Sequence, residues 1–465
     1  MTRQIRLNAF EMNTPVLHCP GLWRHPDDQS WRYKDLSYWT DLAQLLERGR
    51  FDGIFIADVL GVYDVYNGSP DAALASATQV PVNDPLLLVS AMAHVTEHLG
   101  FGITASTSFE HPYPFARRMS TLDHLTKGRI GWNIVTSYLD SGARNVGQSG
   151  TLDHDQRYEY ADEYMEVLYK LWEGSWEDGA VVRDAEAGIF TDPARVHPIR
   201  HEGEYFTVPG IHLCEPSPQR SPLLYQAGTS GRGKKFAVDH AESIFVSAPT
   251  TKIVRDQVAD VRRRLEAAGR DRSSIVVYSL ATVITGATSE EAHAKYEAYR
   301  KLADYRGVLA SWSGFLGHDL GRYDLDDPIE HIESNAARSL ATSITEGDPD
   351  LHWTVRDLAA WGAIGGPGPV AVGSPAEVAD QLQEWAEETD VDGFNVTFAV
   401  RPTSFADIVD HLVPELQRRG VYPGQYQPGT LREKLFGAGP RLPDGHRGAA
   451  YRTAGHLSAS PARPS

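Results

Sequence analysis

The sequence predicts an α/β protein, a TIM (β/α)8 barrel with long loop insertions. Three observations carry this. Strand-like and helix-like segments alternate along the chain in about eight units, and that rhythm implies a parallel sheet. The strand-like runs are largely apolar and rich in β-branched residues, as in strands covered on both faces. The chain has 465 residues, well beyond the roughly 250 of a minimal barrel, and the surplus falls between the units.

The elements follow in order. Residues 3–10 (RQIRLNAF) read as a short strand. Residues 36–48 place Leu36, Trp39, Leu42, Leu45 and Leu46 near helical spacing, and Gly49 follows as a stop. Residues 51–58 (FDGIFIAD) read as a buried strand, 85–98 as a helix and 101–107 as a strand. A helix over 111–125 begins at Pro112, where a missing N–H costs nothing. A strand over 129–137 (RIGWNIVTS) precedes a long helix over 156–172 with a tyrosine-rich face. The second half repeats the pattern, with strands at 222–228, 243–248, 274–285 and 393–399. Its helices fall at 234–240, 252–267, 289–302 (with Ser289 as N-cap), 374–388 and 405–419. The expected organisation is a single barrel domain over 1–436. It carries irregular insertions at about 59–84, 173–220 and 305–368, and a loosely packed or disordered tail follows over 437–465. In a barrel, loops after strands sit on the catalytic face, so these insertions are candidate lids.

Composition removes several function classes. Lys plus Arg is 44 and Asp plus Glu is 62, a formal net charge of −18. Such a balance argues against non-specific binding to nucleic acid or to an anionic membrane. No apolar run approaches the ~20 residues a membrane-spanning helix needs. The N-terminus lacks the apolar stretch of a secretory signal, and two cysteines, Cys19 and Cys214, form neither a disulfide framework nor a zinc site. The expectation is a cytoplasmic protein without nucleic-acid or membrane partners.

Three features carry chemistry. The run Gln226-Ala-Gly-Thr-Ser-Gly-Arg-Gly-Lys-Lys235 follows a strand and opens a helix. Gly228, Gly231 and Gly233 let backbone approach a ligand closely, Thr229 and Ser230 offer hydroxyls, and the free N–H groups of a helix N-terminus favour a phosphate. A plain glycine-rich turn is the competing reading. Asp58, Thr104 and the stretch Asn133–Ser137 fall at C-terminal ends of strands, where barrel residues point into the site; each alone is also an ordinary turn or cap residue. His94-Val-Thr-Glu97-His98 matches a metal-binding H-x-x-E-H pattern, but no third ligand is suggested, and a solvated helix end explains it as well. No metal is expected. Gly365-Gly-Pro-Gly-Pro369 reads as a loop entering the last unit. Tyr63, Tyr66, Phe109, Tyr113, Tyr138, Tyr158, Tyr160 and Trp312 make the proposed mouth aromatic, suited to a flat cofactor or an apolar substrate, though core packing accounts for most of them.

Long motifs add a resemblance. NAFEMN (8–13), GLWRHP (21–26), LERGRFDGIFIADVLGVYDVY (46–66), QVPVNDP (79–85), RRMSTLDHLTKGRIGWNIVTS (117–137), DHDQRYEYADEYMEVLYKLWEGSWED (153–178), CEPSPQRSPLLYQAGTSGRG (214–233), DGFNVTF (392–398) and VPELQRRG (413–420) resemble the bacterial-luciferase-like flavin monooxygenases. The branch is that of nitrilotriacetate and dibenzothiophene-sulfone monooxygenases. Within it the chain is most similar to the long-chain alkane and dimethylsulfide enzymes. The resemblance covers nearly the whole chain. It implies FMN as cofactor, used as FMNH2 supplied by a separate NAD(P)H:flavin reductase, with O2 and a small or medium apolar molecule as substrates. It also implies a homodimer or homotetramer.

Carried over by position, Asp58, Thr104, His154, Tyr158 and Ser230 match FMN-contacting residues, with Gly228 and Gly231 at the phosphate and Asn133 and Ser137 beside the ring system. Tyr63 and Gln79 match residues near the substrate. Thr14 stands where the alkane and sulfide enzymes have cysteine, Tyr138 stands where the alkane enzymes have histidine, and Trp312 lies near the position of another of their histidines. His154, Tyr63 and Tyr138 are expected to place or donate protons. A flavin that activates O2 needs a dry, covered cavity. The alternatives are a deazaflavin (F420)-dependent hydride-transfer enzyme on the same barrel, or a non-catalytic flavin-binding protein.

Overall fold

A computed structural model describes residues 4–228, 230–329 and 352–452. Eight parallel strands close into a barrel: β1 (Arg6–Met12), β2 (Gly53–Ala57), β3 (Gly100–Ser106), β4 (Ile130–Val135), β9 (Leu223–Gln226), β10 (Ser243–Val246), β11 (Val276–Thr285) and β13 (Gly393–Thr397). The ring closes through β10 on β11 and β13 on β1. All eight are the strands expected from sequence. Between β4 and β9 lie two short hairpins, β5 (Val181–Asp184) with β6 (Ile189–Thr191), and β7 (His201–Glu202) with β8 (Thr207–Val208). A further strand, β12 (Val370–Gly373), extends the second half of β11 from Thr282 to Thr285.

The helices bury the stripe that their periodicity dictates. In α1 (Leu36–Arg48), Tyr38, Trp39, Leu42, Ala43 and Leu46 are buried against the barrel, and each large side chain contributes ~1.5–3 kcal/mol. α2 (Asp71–Ser76) lies in the first insertion, and α3 (Val89–His94) follows a short 3-10 turn. The helix expected over 85–98 stops at His94. The Glu47 carboxylate accepts the backbone N–H groups of Glu97, His98 and Leu99 and turns the chain into β3. The two histidines of the H-x-x-E-H pattern are therefore not one turn apart on a helix, and His98 stacks on Tyr426 at 4.9 Å. α4 (Pro112–Leu125) is capped by His111, α5 (Asp140–Asn145) is short, and α6 (His154–Tyr169) runs into a single π turn over Lys170–Gly174. α7 (Gly231–His240), α8 (Thr251–Ala267) and α9 (Ser289–Leu302) complete the middle units. The N-cap of α9 is Thr288 rather than Ser289, because its side chain accepts from Glu291 N.

Two further expectations are corrected. The insertion 305–368, read as irregular, holds α10 (Tyr305–Leu316) and the helix Val355–Gly362. They bury a separate small core of Val308, Leu309, Trp312, Leu316, Leu320, Val355, Leu358 and Ala359; residues 330–351 lie outside the described ones. The tail is packed as far as Arg452. Leu442 and His446 are buried, His446 bonds the His240 carbonyl at 2.9 Å, and Arg452 pairs with the buried Glu173 at 2.9 Å. Residues 453–465 lie outside the described ones.

The N-terminal end of the barrel is sealed. Tyr225, Phe245 and Tyr278 fill its interior, and Leu431 and Leu435 of the helix Leu431–Phe436 pack beneath them. The buried Arg432–Glu242 ion pair, at 2.6 Å, ties that helix to the bottom of the sheet. Open space is left at the C-terminal ends of the strands.

Candidate active site

The strand ends enclose a cavity of about 380 Å³. Thr104 of β3 accepts a hydrogen bond from Asn133 of β4 at 3.0 Å. Below them, Asn8 of β1 donates to Asn395 of β13 at 2.8 Å. Asn133 Oδ1 and Gln226 Oε1 are enclosed acceptors without a hydrogen-bond partner among the described residues, and both side chains line the cavity. Enclosed acceptors of this kind call for a ligand, since buried polar atoms are normally paired.

One end of the cavity is shaped for an anion. Ser230 caps α7, accepting from Gly233 N at 3.0 Å, and its hydroxyl lies 3.2 Å from His154 Nε2. His154 Nδ1 meets Asp155 at 2.7 Å. A Cβ on Gly228 would fall 2.3 Å from Gln226 Nε2 and 2.6 Å from Tyr158 Oη, so any larger residue there displaces these two side-chain ends. His154, Arg157 and Tyr158 share one face of α6 and all line the cavity, as i, i+3 and i+4 positions must. Arg157 brings a cation to this end. Sequence reasoning did not single it out, although its spacing from His154 and Tyr158 was the available signal.

Asp58, one residue beyond β2, lines the wall. Burial and the nearby Asp84 carboxylate push its pKa up to about 7, against the opposing Val59 N–H. On this side Tyr63 Oη lies 2.6 Å from Tyr138 Oη and donates to Gln79 Oε1 at 3.0 Å. Burial raises both phenols far above the ordinary tyrosine range, so they stay protonated. Gln79 and Ser137, both on the cavity wall, hold positive φ (51° and 56°), a strained backbone that persists where surrounding structure over-determines it.

Asp58, Gln79, Thr104, Asn133, Ser137, Tyr138, His154, Tyr158, Gly228 and Ser230 line the cavity. Four sequence expectations fall elsewhere. Tyr63 stands one layer behind, reaching the wall through Tyr138 and Gln79. Gly231 begins α7 off the cavity, and a Cβ there would meet nothing within 4 Å. Thr14 is fully buried beneath the wall, where its carbonyl is held by Arg401. Trp312 stacks on Trp361 at 5.3 Å within the insertion's own core, and Phe315, one turn on, reaches the cavity instead. His154 sits at the anion end, away from the tyrosine pair. Thr229 lies outside the described residues. Phe10, His18, Phe315 and Pro367 also line the space and carry no signal in the sequence. They meet only through long-range folding. Among the described residues there is no group of three His, Cys, Asp or Glu side chains placed to hold a metal ion.

The model of the Luciferase-like monooxygenase family matches residues 13–393. The chain is 53% identical to dimethyl-sulfide monooxygenase of Hyphomicrobium sulfonivorans, over 98% of this chain and 95% of that one. It is 50% identical to long-chain alkane monooxygenase of Geobacillus thermodenitrificans (strain NG80-2), over 97% of this chain and 99% of that one. The crystal structure of a riboflavin lyase, solved with modified FMN and its substrate riboflavin, superimposes with a TM-score of 0.89 at 39% identity, covering 97% of this chain and 100% of the other. A family match over most of the barrel and relatives at half identity or more settle the membership: this chain belongs to the luciferase-like monooxygenases.

Proposed function

We propose that the chain is the oxygenase component of a two-component system. It takes FMNH2 from a separate NAD(P)H:flavin reductase and uses O2 to oxygenate a small or medium, largely apolar molecule. The observation that carries this reading is the anion end of the cavity. A helix N-terminus, the Ser230 hydroxyl, the Tyr158 phenol and Arg157 converge on a space that the glycine at 228 leaves open. The unpaired Asn133 and Gln226 acceptors, in the same cavity, suit the N–H-bearing rim of a flavin ring.

When bound, reduced flavin supplies the activation of O2. The chain's own residues do the rest. Ser230, Tyr158, Arg157 and the α7 N-terminus bind the phosphate. Asp58 and Thr104, on the cavity wall, would contact the flavin. The Tyr138–Tyr63–Gln79 chain holds neutral hydroxyl protons at the rim where the substrate enters. Phe10, Phe55, Leu280 and Phe315 exclude water. α10 covers this side through Phe315 and is the candidate lid. We also take the working unit to be a homodimer or homotetramer. No described helix is long and apolar enough to cross a membrane.

Anaerobic titration with FMNH2, followed by mixing with aerated buffer and a dialkyl sulfide or alkane, tests this reading. Micromolar binding of the reduced flavin and O2-dependent product are expected. Absence of FMNH2 binding at high micromolar concentration would overturn it.

A further inference from the structure

His18 is a polar group on the cavity wall that the flavin-binding residues leave unused. It lies just beyond β1, with its ring edge-on to Phe10 at 5.1 Å. Gly366 clamps the ring, since a Cβ there would fall 2.7 Å from the ring Cγ. Nδ1 is enclosed without a hydrogen-bond partner among the described residues. Burial pushes the imidazole pKa down to about 4, so the ring is neutral at pH 7. A neutral imidazole still carries one N–H donor and one lone pair, and an enclosed ring nitrogen left unmet is costly.

The barrel order places this ring. Counting around the sheet, β1 and β9 are each four strands from the other in both directions. A phosphate held after β9 therefore leaves His18 on the opposite rim. The neighbours there are Gln79, whose amide donates to the Leu17 carbonyl at 3.2 Å, and the two tyrosines behind it. Tyr63 donates to Gln79 and Tyr138 to Tyr63, which uses both hydroxyl protons. Phe10, Leu17, Leu280 and Phe315 make the remaining surroundings apolar. The cation among the cavity-lining side chains, Arg157, is at the far end, and burial pushes the pKa of Asp58 on this side up to about 7, which disfavours its charged form, so this rim suits an uncharged ligand.

We propose that His18 is a specificity-determining residue whose imidazole hydrogen-bonds an uncharged oxygen acceptor on the substrate, such as a sulfoxide, sulfone or carbonyl oxygen. The pocket then selects molecules bearing that acceptor over hydrocarbons and plain thioethers, because a ligand without it leaves the ring unpaired. This rests on the flavin reading above and goes beyond it by naming the substrate class.

The test is a binding series of diethyl sulfide, diethyl sulfoxide and diethyl sulfone. Each is titrated calorimetrically into the full chain loaded with oxidised FMN, so that no turnover intervenes. In the wild type the sulfoxide and sulfone bind about 10-fold tighter than the sulfide, the worth of one hydrogen bond in a dry site. His18→Phe reduces this preference to about 2-fold or less. His18→Gln, which keeps a donor, retains part of it. An unchanged preference in His18→Phe, or an equal loss for all three ligands, overturns the proposal. Flavin binding by the same proteins separates the two readings. Failure of the wild type to bind FMNH2 in the anaerobic titration refutes the flavin assignment. Intact FMN binding with no preference to lose refutes the role of His18 alone.

Discussion

Gly228→Ala isolates the anion cradle from the rest of the barrel. The new methyl group would fall 2.3 Å from Gln226 Nε2 and 2.6 Å from Tyr158 Oη. Both are ends of side chains that can swing away, and Gly228 is not among the residues with positive φ. The fold therefore gives way by ~1 kcal/mol or less, which in a chain of this size moves Tm by only ~1–2 °C. The displaced atoms are the ones that face the ligand. Losing one hydrogen bond to a charged phosphate costs ~1.5–3 kcal/mol, so FMN affinity should fall by ~10- to 100-fold. Gly231→Ala is the matched comparison. Nothing lies within 4 Å of its Cβ position, its backbone N–H is retained, and alanine in a helix is more favourable than glycine by ~0.5–1 kcal/mol. It should bind FMN as the wild type does, with an equal or higher Tm. Flavin fluorescence quenching and a thermal melt on each variant suffice. Equal FMN affinities for the two variants would show that the phosphate does not sit against position 228.

Further outcomes follow from other parts of the molecule. Asp58 has a folded-state pKa of about 7, raised above the ~3.9 of an unfolded chain. The folded state thus holds the proton more tightly, and the stability it contributes is present below pH ~4 and lost as pH rises through about 7. Asp58→Asn should accordingly raise Tm relative to wild type at pH 8 and show a smaller gain at pH 5; the same gain at both would refute the assignment. Tyr63→Phe leaves Gln79 Oε1 and the Tyr138 hydroxyl without their shared partner, and should lower turnover by ~10-fold with FMNH2 affinity unchanged, read by stopped-flow and by anaerobic titration. Arg401→Met strands the fully buried Glu11 carboxyl, 2.8 Å from the lost guanidinium, and should cost ~3–5 kcal/mol in urea unfolding; a loss under ~1 kcal/mol would mean that the pair is not structural. Ending the chain at 436 removes the buried Leu442 and His446 and the Arg452–Glu173 ion pair, and should lower Tm by several degrees.

What the sequence by itself determined is the part governed by local pattern. A run such as VVYSLATVIT in β11 is buried at every position, and neither a helix nor a surface strand would retain so many β-branched residues without a polar face. The same holds for the stripe of α1, for Pro112 opening α4, and for the glycine-bearing loop that opens α7. Strand ends and helix starts are local features, and in a barrel they converge on one face. That is why Asp58, Thr104, Asn133, Gly228 and Ser230 are legible from local pattern, whereas Tyr158 is reached through the family resemblance.

Tertiary structure decided which way side chains face in the irregular segments and which insertions bring apolar residues to the cavity. Thr14 and Trp312 point into protein while His18 and Phe315, four and three residues away, reach the cavity. No periodicity distinguishes these neighbours, because their direction is imposed by partners hundreds of residues away. Arg401 grips the carbonyls of Thr14 and Pro15, and the Gly365–Gly366 turn seats the His18 ring. The tail misled in the same way. Its glycine- and proline-rich composition describes a chain with little structure of its own, yet Leu442 joins the main core, His446 bonds α7 and Arg452 pairs with the π turn after α6. Composition reports what a segment does alone, and burial against the rest of the fold supplies what it lacks.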